Sequence, residues 1–199
     1  MWPYDPARVA CAGAYAEGFY YVYLYETDGY NATPYSFNRI NLATGESSQV
    51  ADYRGMPFLF QDMTYDYSTQ TMFATAYDES AYTAVLLKID LTTGEATAVG
   101  QMGGTKFMTL ACSYEGQLYA IDIDYGDLWR VDKSTGATTS IGNTGERVND
   151  YLQTMEFDHE TNLLYWAGDN FWGTVDTNTG EAKEISWLGN DAQVVGLYI

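Results

Sequence analysis

Histidine and cysteine, the residues most often found in catalytic and metal sites beside the carboxylates, are scarce in this sequence. The chain has a single histidine, His159, in the turn-like stretch DHET. One histidine cannot build a zinc site of several histidines, and its place in a turn argues against a Ser–His–Asp arrangement. We expect His159 to be exposed to solvent. No glycine-rich loop follows a strand and opens a helix, so the common phosphate-binding motifs are absent from the sequence.

A cluster of aspartates resembles the first half of a calcium-binding loop. Asp122, Asp124 and Asp127 surround Gly126, but the 12-residue spacing that ends in a glutamate is missing. A strand end followed by a turn explains the same residues, and we predict no metal and no cofactor. The 27 acidic residues still leave room for a carboxylate pair that cleaves glycosidic bonds. A small carbohydrate-active enzyme is therefore the alternative function.

The two cysteines do not predict a disulfide framework. Cys11 and Cys112 lie in the apolar stretches VACAG and TLACS, where thiols usually behave as small buried hydrophobic groups. A bond between the two stays open at this point, because it depends on a distance that the sequence does not give.

Charge and composition exclude several classes of partner. The 199 residues carry a formal net charge of −18, which argues against nucleic acid and anionic membrane surfaces as partners. Hydrophobic residues make up 46% of the chain, enough for a folded core. No apolar run reaches the roughly 18 residues of a membrane-spanning helix, and the N-terminus does not resemble a signal peptide. We expect a soluble, folded protein.

A fourfold repeat is the main structural signal. Four segments share one pattern and are spaced 42–49 residues apart: FNRINLATGESSQV, LLKIDLTTGEATAV, LWRVDKSTGATTSI and WGTVDTNTGEAKEI. An Asp or Asn four residues before each glycine can accept hydrogen bonds from the turn, and the glycine can take a positive φ. β-Branched residues on both sides predict the paired strands of a hairpin. The glycines are Gly45, Gly94, Gly136 and Gly180.

A second hairpin precedes each of these, so every repeat predicts four antiparallel strands. Such a sheet cannot bury both faces alone, and radial stacking of several sheets solves this problem. We predict an all-β fold, one β-propeller domain spanning 1–199, with blades near 8–51, 60–100, 107–142 and 152–188 and a closing strand at 192–199. The alternative is an open array of blades. In that case the chain is a monomer, or two copies form a dimer that completes the ring.

The segments MTYDYSTQTMFATAY, LACSYEGQLYAID, LQTMEFDHETNLLYWAG and VVGLYI resemble the YncE-like, quinoprotein-like repeat propellers found in large secreted or surface-attached bacterial proteins. The resemblance covers nearly the whole chain. It implies an extracellular or cell-surface location within a larger multidomain protein, and it supplies no catalytic motif.

Strand order places the variable loops on one face, where functional residues usually concentrate. Aromatic rings interleaved with a few cations suit a protein or glycan ligand. We therefore predict a non-catalytic binding or display module; a purely structural spacer is a further alternative. The candidate ligand-binding residues are Tyr30, Tyr53, Arg54, Phe58, Tyr82, Lys106, Tyr125, Arg147, Tyr151 and Phe171.

Overall fold

The computed structural model describes residues 7–103, 106–148, 151–189, 194–197 and 199. These residues contain sixteen β-strands and no α-helix, so no helix among them is long and apolar enough to span a membrane. The strands are β1 (Arg8–Ala16), β2 (Phe19–Thr27), β3 (Ala32–Asn41), β4 (Ser47–Asp52), β5 (Phe58–Asp66), β6 (Thr71–Asp78), β7 (Thr83–Ile89), β8 (Ala96–Gly103), β9 (Ala111–Cys112), β10 (Leu118–Ile121), β11 (Asp127–Val131), β12 (Thr138–Asn143), β13 (Gln153–Asp158), β14 (Leu163–Gly168), β15 (Phe171–Val175) and β16 (Ala182–Trp187).

The strands form four antiparallel sheets, each made of four strands that are consecutive in the chain. We call them blades 1 to 4: β1–β4, β5–β8, β9–β12 and β13–β16. Together they make a four-blade β-propeller, which confirms the predicted fold class. In every blade the register between the third and fourth strands shifts at the same repeat position, after Phe37, Leu86, Leu128 and Trp172. Such bulges increase the local twist of a sheet.

The turns between the third and fourth strands have the predicted geometry. Asp90 accepts hydrogen bonds on Oδ1 from the amides of Thr92 and Thr93, at 2.8 and 2.9 Å. Gly94 has a φ of +75° and donates its amide proton to the Asp90 carbonyl. The other three repeat glycines have φ between +73° and +86°. The aspartates of the repeat are therefore turn residues.

Among the described residues, the core consists of three hydrophobic clusters, one between each pair of blades that are consecutive in the chain. The middle strands of blades 2 and 3 face a cluster on each side. Leu87 belongs to the cluster between blades 1 and 2, whereas its neighbour Leu86 belongs to the cluster between blades 2 and 3. This explains why the stretch AVLL is apolar throughout instead of alternating with polar residues.

Each of these three junctions also contains a close contact between an outer strand and a turn. A Cβ atom built on Gly100 of β8 would lie 2.0 Å from the carbonyl oxygen of Thr135, in the turn of blade 3. Gly142 of β12 meets Thr179 of blade 4 in the same way, at 2.1 Å. Ala51 of β4 has the equivalent position against Gly94 of blade 2.

The junction between blades 4 and 1 lacks this contact among the described residues. Ser186 has the position in β16 that corresponds to Gly100 and Gly142, and it is exposed. Gly45, the turn glycine of blade 1, is exposed too, whereas its three counterparts are buried. The neighbouring large side chains Leu42, Ile185 and Trp187 are each at least half exposed.

Part of the predicted closing strand lies beside blade 1. Val195 packs against the cluster between blades 1 and 2, and Gly196 lies beside Tyr20 of β2. Residues 194–197 and 199 have no strand assignment. Residues 192, 193 and 198 of that prediction lie outside the described part of the chain.

Candidate functional site

The two ends of the propeller differ in their connections. The turns within the β1–β2 and β3–β4 hairpins, and their equivalents in the other blades, lie at one end, which we call the turn face. The connections 27–32, 78–83, 121–127 and 168–171, and the links between blades, lie at the other end, the loop face. This arrangement follows from the antiparallel order of the strands.

A buried aspartate joins three blades near the propeller axis. Both carboxylate oxygens of Asp62 on β5 accept hydrogen bonds. Oδ2 accepts the amide protons of Leu110 of blade 3 at 3.0 Å and of Met155 of blade 4 at 3.2 Å. Oδ1 accepts the Met63 amide at 3.0 Å and the Thr154 hydroxyl at 3.2 Å. Full burial raises the pKa of Asp62, while the three amide donors act in the opposite direction.

A cavity of about 460 Å³ opens on the loop face. We call it the axial pocket, because all four blades or the links leading into them contribute to it. Aromatic rings and a few polar groups dominate its walls. The lining residues are Cys11, Tyr25, Tyr30, Ala32, Leu59, Gln61, Tyr77, Glu79, Lys106, Tyr151 and Leu152.

Among the residues of that lining that the structure describes, Lys106 is the only cation. Its ammonium nitrogen lies 4.8 Å from the ring centroid of Tyr77 and 5.5 Å from that of Tyr151. Both distances are within the range of a cation–π attraction. The backbone of Lys106 is anchored, because its carbonyl accepts the Ile123 amide at 3.0 Å.

Three of the ten predicted ligand-binding residues come together in the axial pocket: Tyr30, Lys106 and Tyr151. Tyr30 is 97% exposed and Tyr151 is 56% exposed, so both rings lie at the mouth. Tyr82 and Tyr125 are exposed on loops outside the pocket lining. Arg147 is exposed in the link between blades 3 and 4.

The remaining four predicted residues lie outside this pocket. Tyr53 is buried, and its hydroxyl donates to the carbonyl of Gly94 at 2.6 Å. Phe171 is buried against Trp166, and Phe58 is half-buried against the same cluster as Tyr53. Arg54 pairs with Asp52, with 3.0 Å between Nε and Oδ1. Tyr53 and Phe171 thus contribute to the core instead of the surface.

Sequence reasoning missed several residues of the axial pocket. Tyr25 and Tyr77 lie near the loop-face ends of β2 and β6, and Gln61 lies near the start of β5. These positions look like ordinary strand residues. The available signal was that each of these residues lies close to the loop-face end of a strand. An inner or middle strand of a blade brings its loop-face end close to the propeller axis.

The turn face carries a smaller cavity, of about 120 Å³, lined by Tyr15, Tyr65, Tyr67, Glu156, Phe157, His159 and Ile199. The expectation that His159 is solvent-exposed was wrong. Its ring is half-buried, stacks edge-on against Tyr67 and places Nε2 3.1 Å from the carbonyl oxygen of Cys112. The ring fills space between blades 2, 3 and 4.

Glu156 gives this cavity a titratable group. Its Oε1 accepts the Phe157 amide at 2.9 Å, and burial raises the pKa of its carboxyl from 4.5 to about 8. The folded chain therefore keeps a proton on Glu156 over a pH range in which the unfolded chain loses it. The contribution of Glu156 to the free energy of unfolding therefore falls as the pH rises from about 4.5 to about 8.

Replacing Glu156 with Gln removes this proton while keeping the size of the side chain. We expect the wild-type chain to lose about 1–3 kcal/mol more than the variant between pH 5 and pH 8. The difference includes the effect of Glu156 on Asp62, because the charge of Glu156 also raises the pKa of Asp62. Urea unfolding at several pH values measures it, with Glu95→Gln at an exposed turn as the control. Parallel pH profiles for wild type and Glu156→Gln would contradict the assignment.

The aspartate cluster near Gly126 is a turn, as predicted. Asp122 accepts the Tyr125 amide on Oδ1 and the indole N–H of Trp129 on Oδ2, both at 2.7 Å. The described ranges hold no group of three or more His, Cys, Asp or Glu suited to a metal ion. Cys11 and Cys112 are buried, unbonded thiols. Burial raises the pKa of Cys11 to about 12.

No protein-family model matches the chain, and no curated protein matches it. Solved structures do. A structural genomics protein of unknown function from Bacteroides thetaiotaomicron superposes with a TM-score of 0.64 and 16% identity, over 88% of this chain and 42% of that one. A chain of a nidogen/laminin complex gives a TM-score of 0.65 and 14% identity, over 93% and 67% respectively.

An auxiliary nutrient binding protein from Bacteroides thetaiotaomicron gives a TM-score of 0.54 at 14% identity, over 85% of this chain and 40% of that chain. This chain therefore spans less than half the length of these two Bacteroides thetaiotaomicron proteins. At these identities the similarity establishes the propeller fold alone.

Proposed function

We propose that this chain is a non-catalytic binding module of an extracellular or cell-surface protein, and that the axial pocket binds a glycan. The observation that carries the proposal is the pocket wall. Four tyrosines, Tyr25, Tyr30, Tyr77 and Tyr151, surround a cavity of about 460 Å³ that also exposes Gln61 and Glu79. Ligand pockets in proteins typically combine such apolar and aromatic walls with a few polar groups.

This combination suits a sugar better than a protein segment. The faces of tyrosine rings can cover the C–H faces of a pyranose, and amide and carboxylate groups can bond to its hydroxyls. Tyrosine also supplies this area at a low cost in side-chain entropy. A chain with a net charge of −18 disfavours polyanionic ligands, which narrows the class to glycans of low charge.

The positions of the carboxylates favour ligand binding without catalysis. Hydrolysis of a glycosidic bond needs two carboxyl groups about 5–10 Å apart on either side of the bond. Glu79 is the only carboxylate among the described residues that line the axial pocket. Asp62 is held by four donors inside the propeller, and Glu156 lines the cavity at the other face.

The similarity to solved structures is consistent with this proposal. The nutrient binding protein from Bacteroides thetaiotaomicron shares the fold, and its described role is to bind. A nidogen/laminin complex shows the fold in an assembly of extracellular type. These neighbours also motivate the extracellular location and the larger multidomain protein that we propose for this chain.

Replacing Tyr151 with Ala tests the site. Its ring is at the mouth and half exposed, so we expect thermal stability to change little and glycan affinity to fall at least tenfold, since a ring contributes roughly 1–2 kcal/mol of contact. A glycan array finds ligands, and calorimetry measures affinities. Tyr114→Ala is the matched control, because Tyr114 is 66% exposed at the turn face. Equal losses in both variants, or no glycan bound, would contradict the proposal.

A further inference from the structure

Lys106 is placed in the axial pocket without a negative partner in the described part of the chain. The ion pairs found there join Arg8 to Glu26, Arg54 to Asp52 and Lys133 to Asp66. No hydrogen bond from the Lys106 ammonium to a protein acceptor is present among the described residues either. A lysine ammonium has three donors, so those of Lys106 are available to a ligand in the pocket.

The two tyrosine rings explain why this ammonium stays in the pocket. Tyr77 and Tyr151 attract it from two sides, at 4.8 and 5.5 Å from their centroids. Because aromatic faces accept no strong hydrogen bond, they position the charge and leave its donors unused. An oxygen-rich anionic group on the ligand completes the coordination that the protein leaves open.

We infer that the axial pocket selects a saccharide carrying a carboxylate, a uronic acid or a similar acidic sugar, and that Lys106 binds this carboxylate while the tyrosines hold the ring. The inference rests on the proposed glycan-binding function and adds the chemical class of the ligand. The same geometry limits the number of charges, since Glu79 in the pocket wall repels a second carboxylate. The structure therefore favours one acidic group per binding site.

The acidity of the whole chain does not oppose this inference. Exposed charges more than about 8 Å apart are largely screened at physiological ionic strength. The net charge of −18 therefore slows the approach of an anion at low salt more than it weakens a contact made inside a pocket. The net charge of the chain repels an anionic ligand, whereas Lys106 attracts it. The preference for an acidic sugar must therefore come from direct contact.

A panel of matched sugars tests the inference. The probes are the methyl glycosides of glucuronate and glucose, galacturonate and galactose, and mannuronate and mannose, each titrated against the full chain by NMR. We expect at least one acidic sugar to bind tenfold or more tightly than its neutral counterpart. Lys106→Gln should abolish this preference, and Lys106→Arg, which keeps the charge, should retain most of it.

Lys88→Gln is the matched control, because Lys88 is an exposed cation on β7 and the variant has the same net charge. It should bind all six sugars as the wild type does. Thermal unfolding of the variants shows whether a loss of binding reflects a loss of fold.

The outcomes separate the two proposals. Equal affinities within every pair, or an acid preference that persists in Lys106→Gln, would overturn this inference and leave glycan binding in place. If the wild type binds no sugar of the panel and no glycan of the array, both proposals fail.

Discussion

Replacing Asp62 with Asn should lower the free energy of unfolding by about 3 kcal/mol. The side-chain NH2 group of Asn would then face hydrogen-bond donors that bond to a carboxylate oxygen in the wild type. Asp62 accepts two hydrogen bonds on each carboxylate oxygen, from Met63 and Thr154 on Oδ1 and from Leu110 and Met155 on Oδ2. An Asn side chain offers only one acceptor oxygen. Whichever way it turns, an amide donor of the central strands is left buried without a partner.

Chemical denaturation measures this loss, and two further variants define its origin. Asp176→Asn is the control, because Asp176 is exposed and its position in blade 1 is already occupied by Asn41. We expect that change to be close to neutral. Thr154→Val removes one of the four donors and should cost about 1 kcal/mol. A stable Asp62→Asn variant would show that the blades do not depend on this carboxylate.

Replacing Gly142 with Val should cost about 3 kcal/mol or more, because the new side chain has no room at the junction of blades 3 and 4. A Cβ atom at this position would lie 2.1 Å from the carbonyl oxygen of Thr179. The φ of Gly142 is not in the left-handed region, so the penalty comes from the contact and not from backbone strain. Blade 4 would have to move away from blade 3.

Ser186→Val provides a control at the same repeat position. Ser186 is exposed on β16, and valine is favoured in strands, so this variant should keep the wild-type stability within about 0.5 kcal/mol. Both variants are compared by urea unfolding. Similar losses of stability in the two variants would mean that this repeat position does not tolerate valine in any blade. The difference between the fourth junction and the other three would then not affect stability.

The repeat made the fold predictable, because turn residues and strand residues recur together. Asp90 and Gly94, for example, can be assigned from their spacing alone, and the structure gives them the predicted hydrogen bonds and φ. The apolar run around Leu86 and Leu87 also indicated a strand between two packed neighbours. Both features depend on local sequence, and local sequence determines turn geometry and strand periodicity.

The site was only partly predictable, since it depends on the direction of individual side chains. Tyr53 and Tyr151 both lie in links between blades, yet one ring enters the core and the other lines the axial pocket. Tyr77 reaches the pocket from a strand end and carries no motif. Asp62 resembles any polar strand residue, and its role appears only when four donors from three blades converge on it. His159 was misassigned because the turn that carries it packs against Tyr67.

The mismatch between the fourth junction and the other three has an evolutionary consequence. Blade 4 presents an exposed edge around Ile185 and Ser186, and blade 1 presents an exposed turn around Gly45. These edges occupy the repeat positions that meet at the other three junctions, but Ser186 carries a side chain where Gly100 and Gly142 have none. Duplication of a repeat unit would therefore need a smaller residue at this position before a further blade could pack as blades 3 and 4 do.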